Sequence, residues 1–413
     1  MNTSIVRQNE RLSIKNGAAS TISQSLANNY FSLFAISVLG ATNIQVGWLS
    51  SLPAVATMLA TLPASWLINR VQSKRQFTAI SILLTRSLLL LLICIPLLST
   101  KLSSWIFVVL VALMNVPGSF LNVGWQALIS ELIPDTRRSK FFSNRNRILT
   151  IVGMLATLGS GIWMLIFPSK DPLPFQILFG IAFLFGLLEW KYLAQHTENP
   201  AHSHSLSYSK PSTKNIYLHR PFLYFLVAAL FFNFAWQLAW PLFNIYQIRD
   251  AHATAIWISI FTVCNQLAQI VSYGWWGRMA DRYSSTRILV IAALGMATAP
   301  VLTIVSTNLY YLAAINIFTG VFVSGTVLLL FNSLLESSSP EWKTACIAQY
   351  NIWLAGVAFI APQAGVWMLE TWGMDVAMFW DSGLRACAAL GFYIMWRKMS
   401  SLHLPESKSL QAS

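Results

Sequence analysis

Long apolar runs constrain the fold of this chain more than any other feature. About twelve stretches of roughly 20 residues carry almost no charge, and this is the length that a helix needs to cross a bilayer. Hydrocarbon offers no hydrogen bonds to the backbone, so each run is expected to form a helix that satisfies its own backbone groups. The runs lie near residues 17–40, 44–68, 76–98, 104–131, 147–168, 173–194, 221–246, 254–276, 286–305, 308–336, 344–369 and 376–397.

The composition predicts an all-α membrane protein. Charged residues occupy 10% of the 413 positions and apolar residues 55%, whereas a soluble domain carries about 25% charged residues. The segments between the runs are too short for a separate soluble domain. The four cysteines lie inside or at the ends of apolar runs, so we expect no disulfide framework, no metal site and no cofactor.

The basic residues indicate how the chain is oriented. The net charge of +13 would also be compatible with a nucleic-acid partner, but the charges are unevenly distributed. If the N-terminus is cytoplasmic, 22 of the 27 Lys and Arg residues fall on the cytoplasmic side, which agrees with the positive-inside rule. We therefore expect a multi-pass protein of the inner (plasma) membrane, with both termini in the cytoplasm and no nucleic-acid partner.

The longest polar stretch divides the apolar runs into two groups of six. Residues 195–220 are rich in Ser, His, Pro and Lys, a composition typical of a flexible linker. The predicted organisation is a cytoplasmic tail over 1–16, a six-helix bundle over 17–194, the linker, a second six-helix bundle over 221–398, and a second tail over 399–413.

Two turns about half a chain apart share one pattern. Gly277 begins the sequence GRMADRYSSTR and Ser65 begins SWLINRVQSKR, each between two apolar runs. A second, weaker echo places Glu131 and Glu336 near the ends of the fourth and tenth runs, each before a Pro-acid pair. Both echoes indicate an internal duplication. In the first echo, the aligned pairs are Asn69 with Asp281, Arg70 with Arg282, and Arg75 with Arg287.

The duplicated plan resembles the major facilitator superfamily of transporters. The resemblance rests on twelve predicted helices in two halves, the long central linker and the Gly-x-x-x-Asp-Arg turn that begins at Gly277, and it covers residues 17–398. The loop at 134–147 is also similar to that of a poorly characterised bacterial subgroup. The family implies a central cavity lined by the first, fourth, seventh and tenth helices. The first-half turn departs from the family pattern, because Ser65 replaces Gly and Asn69 replaces Asp.

Amide side chains recur at helical spacing on these helices. Amides are costly in lipid, so such stripes are expected to face protein or water. They predict a polar, uncharged substrate cavity with aromatic walls, although interhelical hydrogen bonding would account for any single amide. The predicted cavity residues are Gln24, Asn28, Asn115, Asn122, Gln126, Asn233, Gln237, Trp240 and Asn244.

The resemblance also implies a cytoplasmic gate at the repeated turn. In the family, the acid of this turn caps the N-terminus of a helix from the other half. Asp281 is therefore expected near the start of the fifth helix, where Arg145 or Arg147 would add a salt bridge; a basic loop that only orients the chain is the alternative. The predicted gate residues are Gly277, Asp281, Arg282, Arg287, Asn69, Arg70, Arg145 and Arg147.

Three charged side chains fall inside predicted helices, where charges are functional candidates. Asp381 and Arg385 are four residues apart on the last helix and can neutralise each other. Arg86 on the third helix has Glu189 as its nearest candidate partner, and snorkelling to the interface is the alternative. No carboxylate lies at mid-depth on the four cavity helices, so proton coupling lacks a clear centre; Asp381 is the fallback, and uniport remains open.

These features predict a secondary transporter. Neither a nucleotide-binding loop nor a convergent set of catalytic groups is present in the sequence, so an enzyme is not expected. The expected substrate is a small, neutral or amphipathic organic solute. Aromatic content favours efflux, with import of a sugar-like nutrient as the alternative. A receptor-like membrane protein that does not transport is a further alternative, favoured by the altered first-half turn. We expect a monomer whose partners are the solute, the bilayer and, if transport is coupled, a proton.

Overall fold

The structure is a computed structural model that describes residues 3–68, 70–98, 100–133, 135–168, 170–198, 217, 219–338 and 342–409. These residues form helices and connecting turns, and they include no β-strand. The chain divides into two compact units. The first unit comprises Met1–Ser207 and His252–Val263, and the second comprises Tyr208–Ala251 and Cys264–Ser413.

The helices of the first unit follow the predicted apolar runs and extend two of them. They are α1 (Thr3–Ala27), α2 (Phe31–Ser37), α3 (Asn43–Ile68), α4 (Lys74–Cys94), α5 (Thr100–Leu132), α6 (Asp135–Met164) and α7 (Leu173–Ala194). Since α1 begins at Thr3, most of the predicted tail is helical. Helix α6 begins well before the predicted residue 147. Helix α1 packs against α6 and α7, and α5 packs against α3 and α4.

The second unit repeats this plan. Its helices are α8 (Arg220–Leu238), α9 (Trp240–Ile245), α10 (Ala255–Tyr283), α11 (Ser285–Ile304), α12 (Leu309–Ser337), α13 (Lys343–Trp372) and α14 (Met374–Ser409). The first turns of α10, through Val263, belong to the first unit. Helix α8 packs against α13 and α14, and α11 packs against α12 and α14. The core of the second unit is rich in buried aromatic residues, which include Phe222, Phe225, Phe232, Trp276 and Phe392.

Ten helical segments of the described chain are long and apolar enough to cross a membrane. They correspond to ten of the twelve predicted runs. The first and last runs are not among them, because α1 is polar over much of its length and α14 carries Asp375, Asp381 and Arg385. The predicted all-α membrane class is confirmed.

The first and seventh predicted helices are interrupted. The first breaks at a short 3₁₀ turn, Asn28–Tyr30, where the Asn29 amide donates to the Thr157 hydroxyl at 2.9 Å. Within the first unit, the buried Tyr30 hydroxyl lies 2.7 Å from Ser160 Oγ and 2.8 Å from Ser259 Oγ, which holds the break in place. The seventh breaks at Ala239, where Pro241 follows and has no N–H to donate.

Each half contains an equivalent contact at its repeated turn. In the first unit, the ammonium of Lys74 forms an ion pair with Glu131. In the second, Glu336 accepts hydrogen bonds from the Thr286 hydroxyl at 3.1 Å and from the backbone N–H of Ser285 at 3.3 Å. Lys74 and Thr286 are aligned in the sequence repeat. Each half therefore joins the end of one helix to the start of another through the same two positions.

The start of the predicted linker is anchored to the first unit. Glu198 accepts a hydrogen bond from the Ser73 hydroxyl at 2.6 Å and another from the backbone N–H of Arg75 at 2.7 Å. Asn9 donates to the carbonyl oxygen of Thr197 at 3.2 Å and accepts from its N–H at 3.1 Å. The segment predicted as flexible from residue 195 is therefore held against α1 and α4 as far as Glu198.

Helix α13 approaches the backbone of α8 so closely at Gly365 that a side chain has no room. A methyl group there would overlap the carbonyl oxygen of Leu238, whereas one at Gly356 of the same helix would meet no described atom within 4 Å. We expect Gly365→Ala to lower the free energy of unfolding by about 1–3 kcal/mol, because the helices must separate. Gly356→Ala should be neutral or slightly stabilising, since Ala favours helix. Thermal unfolding of the purified variants measures both, and equal unfolding temperatures would contradict the expectation.

Candidate functional site

A cavity of about 620 Å³ lies within the first unit. Side chains from α1 through α7 form its wall. Its volume lies in the range of about 300–1,000 Å³ that is usual for pockets binding small organic molecules. The cavity is therefore the candidate functional site of the first unit.

One face of α1 and of the 3₁₀ turn after it supplies a polar row in the cavity wall. Asn16, Ser20, Gln24 and Asn28 follow one another at intervals of four residues, which places them on the same helix face. Gln24 donates a hydrogen bond to the Ser20 hydroxyl at 3.0 Å. The side chain of Asn28 makes no hydrogen bond with the described residues. The carbonyl of Gln24 and the amide of Asn28 are thus available to a bound solute.

Helix α5 supplies the facing polar groups. Asn115 donates to the carbonyl oxygen of Val111 at 2.8 Å, which leaves its own side-chain oxygen to accept. Asn122 accepts from Gln126 at 3.0 Å through its oxygen, so its NH₂ group remains able to donate. Gln126 does not line the cavity but orients Asn122. Of the predicted cavity residues, the structure brings Gln24, Asn28, Asn115 and Asn122 together in this one cavity.

An ion pair that the sequence only suggested also lies in the cavity wall. Arg86 of α4 contacts Glu189 of α7, with Nη2 2.8 Å and Nε 2.9 Å from Oε2. Arg86 also donates to the Ser20 hydroxyl at 3.1 Å, and Asn16 donates to the backbone oxygen of Glu189 at 2.9 Å. Arg86 is 5% exposed and Glu189 is 2% exposed.

The expectation of an uncharged cavity is therefore wrong for the first unit, whose lining includes Arg86, Arg145 and Glu189. The physical reason is that α7 packs against both α1 and α4, so side chains of α4 and α7, which are not among the implied cavity helices, reach the cavity. Opposite charges within two long apolar runs were the sequence signal for this pair.

The second-unit residues of the predicted cavity lie on α8 and α9. Asn233 is buried and donates to the Tyr350 hydroxyl at 3.1 Å and to the carbonyl oxygen of Ala229 at 2.8 Å, which is the interhelical bonding considered as the alternative. Gln237 is also buried, whereas Trp240 is 45% exposed and Asn244 is half-buried. None of the four lines the first-unit cavity, so their contact with a solute stays a prediction.

Of the predicted gate residues, Asp281, Arg282 and Arg287 lie near the ends of α10 and α11. Gly277 lies within α10, and Arg145 and Arg147 lie within α6. Asp281, Arg282 and Arg287 are exposed, and the Arg287 guanidinium lies 5.4 Å from the Trp396 ring centroid. The central carbon of the Arg70 guanidinium lies 3.7 Å from the ring centroid of Trp66. Arg147 is exposed, whereas Arg145 lies in the cavity wall. Asn69 lies outside the described residues. The gate itself stays a prediction.

Asp381 and Arg385 form a fully buried ion pair on α14. Their Oδ2 and Nε atoms are 2.8 Å apart, and both side chains are 0% exposed. Arg385 also donates to the carbonyl oxygens of Met296 on α11 at 3.1 Å and of Trp236 on α8 at 3.2 Å. The pair therefore joins three helices of the second unit.

Comparison with known proteins agrees with this architecture. A family model described as Major Facilitator Superfamily matches residues 16–252. Nucleoside transporter NupG has a similar structure (TM-score 0.72, 11% identity, covering 96% of this chain and 99% of that one). A D-xylose-proton symporter is also similar (TM-score 0.70, 14% identity, covering 94% of this chain and 97% of that one). So is a bacterial homologue of the human lysosomal transporter Spinster (TM-score 0.64, 12% identity, covering 96% of this chain and 97% of that one).

At these identities the solved structures show the fold alone, and the predicted two-half helical fold is confirmed. No curated protein matches the chain at a significant level.

Proposed function

Because the chain belongs to the Major Facilitator Superfamily of transporters, we propose that it moves a small organic solute across the membrane by alternating access. The observation that carries the proposal is the first-unit cavity, whose facing helices α1 and α5 present unused amide donors and acceptors. The interrupted helices at Asn28–Tyr30 and Ala239 support it, since such breaks mark transporter binding regions.

The cavity lining supports an amphipathic solute or a neutral one with hydrogen-bonding groups. Amides and hydroxyls alternate in the wall with the apolar side chains of Phe31, Met114 and Leu121. Hydroxyl or amide groups of a solute would pair with the polar row of α1, and its apolar part would contact the ring of Phe31 or Trp125. Transport and not catalysis is the proposed activity.

The direction of transport has two candidates. Aromatic content favours efflux, as the sequence indicated. The polar row in the cavity, together with relatives in fold described as nucleoside and D-xylose transporters, favours import of a hydroxylated nutrient. If transport is coupled to protons, Glu189 in the cavity wall joins Asp381 as a candidate carboxylate. We also propose that the protein is a monomer in the plasma membrane and that both termini are cytoplasmic. Cysteine labelling from either side of the membrane would test the position of the termini.

Counterflow in proteoliposomes tests the proposal. The solutes are nucleosides, pentoses and amphipathic aromatic compounds, with and without a pH gradient. We expect exchange of at least one class. The double variant Asn115→Leu/Asn122→Leu should slow exchange at subsaturating solute by about tenfold, because each lost hydrogen bond costs about 0.5–1.5 kcal/mol. The control Gln8→Leu removes an exposed amide of α1 outside the cavity and should exchange normally.

Two results would contradict the proposal. Absence of exchange for every solute class would favour the receptor-like alternative. Undiminished exchange by the double variant would show that the first-unit cavity is not where the solute binds.

A further inference from the structure

The charges that line the first-unit cavity do not cancel. Two arginines, Arg86 and Arg145, and one carboxylate, Glu189, are part of its wall. Arg86 and Glu189 neutralise each other at 2.8 Å. Arg145 forms no ion pair with any described residue. The lining therefore holds one positive charge without a counter-charge, and arginine does not lose its proton in proteins.

The guanidinium of Arg145 lies over an aromatic ring. Its central carbon lies 4.4 Å from the ring centroid of Trp125, a cation–π geometry. Its Nε donates a long hydrogen bond to the carbonyl oxygen of Ser13 at 3.4 Å. On α1, the absence of a side chain at Gly17 leaves room for the group, since a methyl there would lie 2.6 Å from Nη2.

The terminal nitrogens of Arg145 are unused. Neither Nη1 nor Nη2 donates a hydrogen bond to the described part of the chain. Two parallel N–H groups on a planar fork match the two oxygens of a carboxylate, and such bidentate pairs are stronger than neutral hydrogen bonds. A single excess charge suits a monoanion better than a doubly charged phosphate.

The rest of the lining limits what carries that carboxylate. Next to Trp125 in the wall are Leu121 and Asn122, and Met114 lies further along α5. An apolar body with few polar groups therefore fits beside the guanidinium. We propose that Arg145 and Trp125 form a carboxylate-binding site in the first-unit cavity, and that the transported solute is an amphipathic monocarboxylate. This inference rests on the proposed function, because it assigns a substrate class to the same cavity.

The test compares acids with their neutral amides on the full chain in lipid nanodiscs. The probes are benzoate and benzamide, phenylacetate and phenylacetamide, and hexanoate and hexanamide, with binding measured by calorimetry. For at least one pair, the acid should bind the unmodified protein at least about tenfold more tightly than the amide. Arg145→Gln should reduce that ratio to near one. Arg145→Lys should keep part of it, because lysine retains the charge but loses the planar fork.

Two further variants separate this site from general damage. Gly17→Ala keeps the charge but displaces the guanidinium, so it should also reduce the ratio. Arg11→Gln removes an exposed arginine of α1 outside the cavity and should leave the ratio unchanged. Gly17→Ala keeps the experiment decisive if Arg145→Gln does not fold.

Three outcomes would overturn the inference. They are a ratio near one for every pair in the unmodified protein, a ratio that survives both Arg145→Gln and Gly17→Ala, and an equal loss of acid and amide binding in Arg145→Gln. The last would favour a gate role for Arg145. If the acid-to-amide ratio is near one and Asn115→Leu/Asn122→Leu weakens binding of the amides, the proposed function stands while this inference fails. If no probe binds and counterflow shows no exchange, both fail.

Discussion

Asp381→Leu is expected to lower the free energy of unfolding by about 3–5 kcal/mol, because it leaves the buried Arg385 without its counter-ion. Both side chains are 0% exposed, and their charged atoms are 2.8 Å apart. Arg385 keeps two hydrogen bonds to backbone oxygens of α8 and α11. Those oxygens carry no net charge, so they only partly replace the carboxylate.

The double variant Asp381→Leu/Arg385→Leu should be far more stable than Asp381→Leu. Replacing a whole buried ion pair with apolar residues is often close to neutral, since the cost of desolvating both charges is removed with them. Asp375→Leu on the same helix is the matched control. Asp375 is exposed in the first turn, so its loss should cost less than about 1 kcal/mol.

Thermal or denaturant unfolding in detergent measures this order of stabilities. A double variant as unstable as Asp381→Leu would show that the packing of these side chains, and not their charge, stabilises α14.

Removing either member of the Arg86–Glu189 pair is expected to damage both stability and transport. Arg86→Leu leaves the charge of Glu189, which is 2% exposed, and Glu189→Leu leaves that of Arg86, which is 5% exposed. Each single variant has an expected cost of about 3–5 kcal/mol. The remaining charge would also change the field inside the cavity, so exchange of solute should decline in each single variant. The double variant Arg86→Leu/Glu189→Leu should recover much of the stability.

A double-mutant cycle gives the interaction directly, and we expect a coupling free energy of about 3 kcal/mol or more, because each single variant costs about 3–5 kcal/mol and the double variant costs much less. The Glu10–Arg137 pair in the same unit is the matched control, with a separation of 2.9 Å but an Arg137 side chain that is 41% exposed. Its coupling should not exceed about 1 kcal/mol, because water screens exposed pairs. Equal coupling free energies for the two pairs would contradict the expectation that burial strengthens the Arg86–Glu189 interaction.

Helix positions were predictable from the sequence because hydrocarbon imposes a long apolar run on every spanning segment. The predicted run 173–194 coincides with α7, Leu173–Ala194. The polar beginnings of α1 and α6 escaped prediction, because a helix that continues beyond the bilayer has no need of apolar residues. Hydropathy therefore locates the part of a helix in lipid and not its ends.

The site was only partly predictable. Helical spacing placed Asn115 and Asn122 on one face, and the structure has both in one cavity. Tyr30 lies between Asn28 and Phe31, which both line the cavity, but its own hydroxyl is buried against Ser160 and Ser259. Spacing describes neighbours along one helix, whereas the direction that a face takes depends on which helices pack against it. That information lies in long-range contacts, such as that between Arg86 and Glu189.

The Arg86–Glu189 contact also constrains how this protein can change in evolution. A lineage that loses one of the two charges passes through an intermediate with a lone buried ion, which we expect to be less stable than either the pair or its complete absence. We therefore expect the two positions to change together. Descendants that keep this cavity should retain both charges or neither, even where the surrounding amides have diverged to suit another solute.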